Sequence, residues 1–245
     1  VGADNVQQSD TQYNQQGDTL RFSLNENSDS PFVKAVDTVA NGGQTTGKYI
    51  AMGTTPDVLK MLGLPDANIR ISDEVIHKVM SEYLGFPKGN RPNIHNLSPE
   101  VLKQLPTQLN NPVAVFNSST RENAYVVLTE LFETKVKTGK TEPVIAALHI
   151  KPTKNGVEVL NITSVYGRGK GQLKTAFNND LRYVNKEKAQ HILNTQSLQL
   201  GWDFTSDVEL STRNVKTETD LSQYQNLQSE QSIDTESDEQ LTQES

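Results

Sequence analysis

Between Asn111–Pro112 and Gly167 the sequence runs through four β-rich stretches in succession, and no other feature restricts the fold so tightly. They are Val113–Asn117, Ala124–Glu133, Pro143–Lys151 and Val157–Tyr166. Each is rich in β-branched and aromatic residues, and the connections are short enough for neighbours to pair antiparallel. Asn155–Gly156 is a strong turn signal between the last two. The expectation is a four-stranded antiparallel meander.

Helix signals stand on both sides of it. Thr55–Pro56 followed by Val58, Leu59, Met61 and Leu62, with Gly63 behind, reads as a cap, a short helix and a glycine stop. Ser72 with Asp73 and Glu74 starts a second helix to about Leu84, its acids placed where the helix dipole favours them. Ser98–Pro99–Glu100 starts a third, which Pro106 should kink or shorten. After the strands come helical stretches from Gln172 to about Asn178 and from Asn185 to Asn194. The expected class is therefore α+β: N-terminal helices packed on a four-stranded antiparallel sheet, with C-terminal helices.

Charge divides the chain in the same places. Residues 1–45 carry six acids and two bases, residues 206–245 ten acids and two bases, and residues 46–205 have 14 acids and 19 bases. The whole-chain net charge of −7 conceals a mildly basic centre between acidic flanks. The expected organisation is a polar, mostly disordered linker over 1–45, with a short helix over 32–40, a folded domain over 46–205, and an acidic disordered tail over 206–245. The chain begins with Val1, which reads as a piece of a larger polypeptide. It has no run long and apolar enough to cross a bilayer, so no membrane partner is expected. With no cysteine, thiolate metal sites, disulfides and Cys nucleophiles are excluded.

The four histidines are His77, His95, His149 and His191, and none stands at ligand spacing in a metal motif. No metal and no cofactor is expected. His77 lies on the flank of the second helix's apolar stripe, where a side chain is half-buried at a cleft, or is simply a surface histidine. His149, on a strand, is as readily a packed residue as a site residue. Ser164 and Tyr166 share one face of the last strand, because side chains two apart point the same way. They open into Gly167–Arg168–Gly169–Lys170–Gly171, which reads as a flexible strand-to-helix loop or as a nest of N–H groups with Arg168 and Lys170 aimed at a phosphate. Arg121 sits in a hairpin that can reach the sheet edge. Six bases against two acids between Arg168 and Lys188, with Tyr166, Phe177 and Tyr183 interleaved, make the best nucleic-acid-binding stretch, Arg182 and Tyr183 included.

The run Tyr49–Ile50–Ala51–Met52–Gly53–Thr54–Thr55–Pro56, with Leu59, Leu62–Gly63 and the His77 helix, resembles the C-terminal domain of phage MuF-type head-morphogenesis proteins. Asn96–Leu97–Ser98–Pro99, Asn111–Pro112–Val113–Ala114–Val115–Phe116, Pro143–Val144–Ile145–Ala146–Ala147 and Ser164–Val165–Tyr166–Gly167 extend the resemblance over about residues 48–204. That domain also occurs in polyvalent proteins of phages and conjugative elements, where a motif like Arg21–Phe22–Ser23–Leu24 often precedes modules. The resemblance implies the fold group of barnase, EndoU, RelE and the tRNA-cleaving colicins, and with it a metal-independent ribonuclease acting as a toxin or effector. On that basis His77, Ser164, Tyr166 and Arg121 are the expected catalytic residues. Arg168, Lys170, Arg182 and Tyr183 are the expected substrate-binding residues. RNA, tRNA among the candidates, and an immunity protein are the expected partners. The expected place of action is the cytoplasm of a host or target bacterial cell, reached with a phage or conjugative element. The alternative is a catalytically inactive module of the same fold that binds protein or nucleic acid for a phage or mobile element.

Overall fold

The computed structural model describes residues 29–86, 94–152, 156 and 158–242, with side chains described as far as residue 230. Residues 1–28 and the Arg21–Leu24 motif therefore lie outside the described residues, as does the Asn155 half of the predicted turn.

The meander is present. Strands β3 (Ala114–Asn117), β4 (Ala124–Thr134), β5 (Thr141–Pro152) and β6 (Glu158–Gly167) pair antiparallel in that order. The four-stranded antiparallel sheet is nevertheless wrong as a description of the fold. Four further strands join the same sheet: β1 (Tyr49–Thr54), β2 (Asn68–Ser72), β7 (Leu181–Val184) and β8 (Lys216–Thr217). Among the described residues the result is one eight-stranded mixed sheet of order β1-β2-β6-β5-β4-β3-β7-β8. Two of its ladders are parallel, β2 with β6 and β7 with β8. The physical reason is length. These additions have six, five, four and two residues, and apolar runs so short are ambiguous between strand and helix. The parallel pairs join segments far apart in the chain, which no local turn signal announces.

Helices cover both faces rather than one. On the first face lie α1 (Pro31–Ala40), α2 (Asp57–Met61), α3 (Asp73–Met80), α4 (Pro99–Lys103) and α5 (Leu105–Asn110), sharing a core with Ile50, Ile69, Ile71, Val127, Val144 and Leu160. On the second lie α6 (Lys170–Asn179), α7 (Lys186–Thr195) and α8 (Asp207–Thr212), whose Leu173, Phe177, Ile192 and Leu210 pack on Phe116, Leu128 and Ile145. The local signals work as physics requires. Ser72 and Ser98 accept hydrogen bonds from the N–H groups of Val75 and Val101, closing the starts of α3 and α4. Pro106 separates α4 from α5, because it cannot donate into a continuous helix. Thr55 does not cap α2. Its hydroxyl donates to the Pro65 carbonyl and accepts from the Ala67 N–H, pinning the turn into β2 instead.

The folded body runs past both ends of the 46–205 stretch. Before it, α1 buries Phe32, Val36 and Val39 against the first-face core. After it, Leu210 of α8 and Val215, just ahead of β8, join the second-face core, and α9 (Glu218–Thr242) starts directly behind β8. Among the described residues no helix is long and apolar enough to cross a membrane.

Candidate functional site

The register of the ladders assigns side chains to faces. On β5, Ile145, Ala147 and His149 point to the α6 side. Across the ladder, Tyr166 faces Ile145, Ser164 faces Ala147 and Asn161 faces His149. Between Ala147 and Leu148 the pairing slips by one residue, leaving Thr163 as the extra residue of a bulge whose hydroxyl donates to the Ala147 carbonyl. The helices cover only part of this face. Where α6 ends its coverage, the sheet floor is exposed as a cleft of about 640 Å³.

Its floor is Val126, Ala147, His149, Ser164 and Tyr166. Its walls are the Ser118–Arg121 loop on one side and Gln172, Thr175 and Arg168 on the other, with Lys78 of α3 at the rim. Its lining holds three bases, Lys78, Arg121 and Arg168, and one carboxylate, Asp180. The Nε of Arg168 and the Nδ1 of His149 are both buried with no hydrogen-bond partner among the described residues. Burial first, then the positive charges of Lys151 and Arg121, hold the pKa of His149 below the ordinary histidine value. The imidazole is therefore neutral near pH 7, with one nitrogen free to accept a proton.

The floor is braced from behind. Glu133, at the end of β4, is 1% exposed. Its carboxylate accepts from the Gly167 N–H at 2.5 Å, the Asn96 N–H at 2.8 Å and the Lys135 ammonium at 2.6 Å. His95 Nδ1 lies 3.7 Å away, and the His95 ring stacks on Tyr166 with centroids 5.3 Å apart. Glu133 thus ties the 94–98 loop to the end of β6 and fixes the ring beside Tyr166.

Of the residues picked from the sequence, Arg121, Ser164, Tyr166 and Arg168 converge in this cleft. His77 does not line it. It sits on α3 with Nε2 3.6 Å from the Asp73 carboxylate and its ring near Phe86. Lys170 reaches back to the Ser197 carbonyl. Arg182 donates to Asn117 Oδ1 at 3.1 Å and to the Leu62 carbonyl. Tyr183 is 1% exposed in the first-face core, its phenol pKa raised by burial and by Glu218. It packs against the core and offers a ligand no surface. In the Gly-rich loop the N–H groups of Gly167 and Arg168 are spent on Glu133 and on the Pro143 carbonyl. Sequence reasoning left His149 undecided and missed Lys78 and Glu133. The β5 alternation that puts His149 with Ala147 was the available signal. For Glu133 there was none, since the backbone donors that define its site, Asn96 and Gly167, lie more than thirty residues away.

Residues 88–191 match the family model of the phage MuF C-terminal domain. No curated protein and no solved structure matches the chain. The MuF match starts ahead of α4 and ends within α7, so it takes in the meander, β7 and the cleft residues Arg121, His149, Ser164, Tyr166 and Arg168. It leaves out α1, β1, β2, α3 with His77 and Lys78, and everything from α8 onward.

Proposed function

We propose that the cleft binds the phosphate backbone of RNA and cleaves it by metal-independent general acid–base chemistry. The observation that carries this reading is the concentration of Lys78, Arg121 and Arg168 around a neutral histidine and two hydroxyls on one sheet floor. Metal-free RNA cleavage requires a base for the 2′-hydroxyl proton, an acid for the departing 5′-oxygen and cations for the phosphorane charge. His149 takes the proton as the 2′-oxygen attacks phosphorus. The P–O5′ bond breaks, the Tyr166 hydroxyl protonates the leaving oxygen, and a 2′,3′-cyclic phosphate remains. Arg121, Arg168 and Lys78 hold the non-bridging oxygens, and Ser164 orients them by hydrogen bonding. His149 replaces His77 in the role of base because it, and not His77, lies on the floor.

The match to a phage domain family supports a phage setting; the role assigned to the domain there, or in a mobile element, is that of a toxin or effector whose partner is an inhibitor protein. The test is cleavage of labelled RNA in EDTA. His149→Ala should lower kcat/KM by about 10²- to 10⁴-fold, and Arg121→Ala should weaken binding as well as turnover. His77→Ala should stay within a few-fold of wild type. Full activity in His149→Ala removes the assigned base. RNA bound but left uncut by the wild-type chain favours the non-catalytic module.

A further inference from the structure

The cleft opens sideways onto a part of the sheet that the described helices leave bare. On the α6 side, β1, β2 and the first half of β6 have no helix over them among the described residues. The side chains there form a connected row. Tyr49 is 45% exposed, and the Arg70 guanidinium lies over its ring at 4.0 Å. Arg70 Nε donates to Asn161 Oδ1 at 2.6 Å, and Asn161 stands directly across the ladder from His149. Lys48 approaches the same ring at 5.6 Å, and exposed Lys151 shares the face two residues beyond His149. The acid on this segment, Glu158, has the opposite parity and points to the other face. An exposed aromatic ring and a row of cations therefore lead from the edge strand into the cleft, with Asp29 in the recess beside Tyr49 at the outer end.

We propose that this row is a second binding site, on which a single-stranded RNA that enters the cleft continues across the sheet and stacks a base on Tyr49. The proposal rests on the RNA reading of the cleft. Charge complementarity favours a polyanion over a protein strand, and the aromatic face supplies what single-stranded nucleic acid uses besides charge. Three strand spacings of about 4.8 Å place β1 roughly 14 Å from β5, a span that needs several nucleotides. Arg70 acts twice, gripping a phosphate and holding the Tyr49 ring in place. Asn161 fixes Arg70 so that the path leads to His149.

The experiment compares the affinity of the full chain for a dinucleotide and for an octanucleotide of RNA by fluorescence anisotropy. The wild type should favour the longer strand by tenfold or more. Tyr49→Ala and Arg70→Ala should each cut that preference by about tenfold, since stacking of one base is worth that order of affinity. Tyr49→Phe should retain the preference, which a merely structural role of the hydroxyl would not predict. An unchanged preference in Tyr49→Ala overturns the proposal. If the dinucleotide binds and the wild type shows no preference for length, this site falls and the cleft reading stands. If RNA of neither length binds, both fall. Binding of poly-glutamate that Tyr49→Ala abolishes, with RNA unaffected, assigns the face to an acidic protein and also overturns it.

Discussion

Glu133 is a carboxylate with 1% exposure that stays ionised because four donors converge on it from three places in the chain. Burial raises its pKa, and His95, Lys135, Asn96 and Gly167 together outweigh that, holding it at about 2 against an unfolded value of 4.5. A carboxyl whose folded pKa is depressed contributes stability that is full above pH 4.5 and lost as pH falls through about 2. The difference corresponds to on the order of 3 kcal/mol. Glu133→Gln should therefore be less stable by roughly that amount in urea at pH 7. By pH 3 the gap should shrink to less than half. A gap of the same size at both values would mean that packing, and not charge, is what the glutamate supplies. The sequence shows a glutamate closing a strand and nothing more, because a buried charge is defined by partners that only the fold assembles. His149 is the intermediate case. Its strand and its alternation are readable, but whether that side of the strand faces a helix or an open cleft depends on where α6 stops.

The loop between β6 and α6 shows what an element can and cannot reveal in advance. Its three glycines read alike in sequence, as flexibility or as a phosphate nest, yet they meet different surroundings. A Cβ on Gly167 would lie 3.0 Å from both Glu133 Cβ and Glu133 Oε2, and 3.0 Å from Glu142 Cβ. Glycine is present there for close approach. At Gly171, in the first turn of α6, a Cβ would meet nothing within 4 Å. Gly167→Ala should push Glu133 off its donors and cost roughly 1–3 kcal/mol, the usual penalty for overpacking. Gly171→Ala should be neutral or stabilise by up to about 1 kcal/mol through helix propensity. Thermal melts of the two variants check the pair, and equal destabilisation would refute the distinction. Elements with several turns of amphipathic pattern or with a serine cap, such as α3, α4 and α7, were readable from the sequence. β7 was not, since Leu181–Val184 is a strand only because β3 lies beside it.

At the scale of the whole molecule, the central meander was legible and the extent of the sheet was not. Acidic composition after residue 205 suggests a tail, but the acids there have specific partners. Asp207 pairs with Lys186 at 2.6 Å, and Glu218 accepts from the Lys186 N–H. Asp220 holds the Thr217 N–H at 2.8 Å, which fixes β8 against β7. The apolar content is small, but two of its residues are buried: Leu210 is 1% exposed and Val215 6%. Burying two such side chains is worth roughly 3–6 kcal/mol in all. Ending the chain at residue 205 should therefore cost several kcal/mol and leave β7 as an unpaired edge prone to association. Ending it at residue 230, which keeps α8, β8 and the start of α9, should leave the melting temperature within a few degrees of the full chain. Leu210→Ala in the full chain should fall between the two, at about 2–5 kcal/mol, as for other buried leucines. Melting curves and sedimentation of the three proteins decide the matter. If the chain ending at 205 melts with the full chain and stays monomeric, the last strand and its helices decorate the fold and do not complete it.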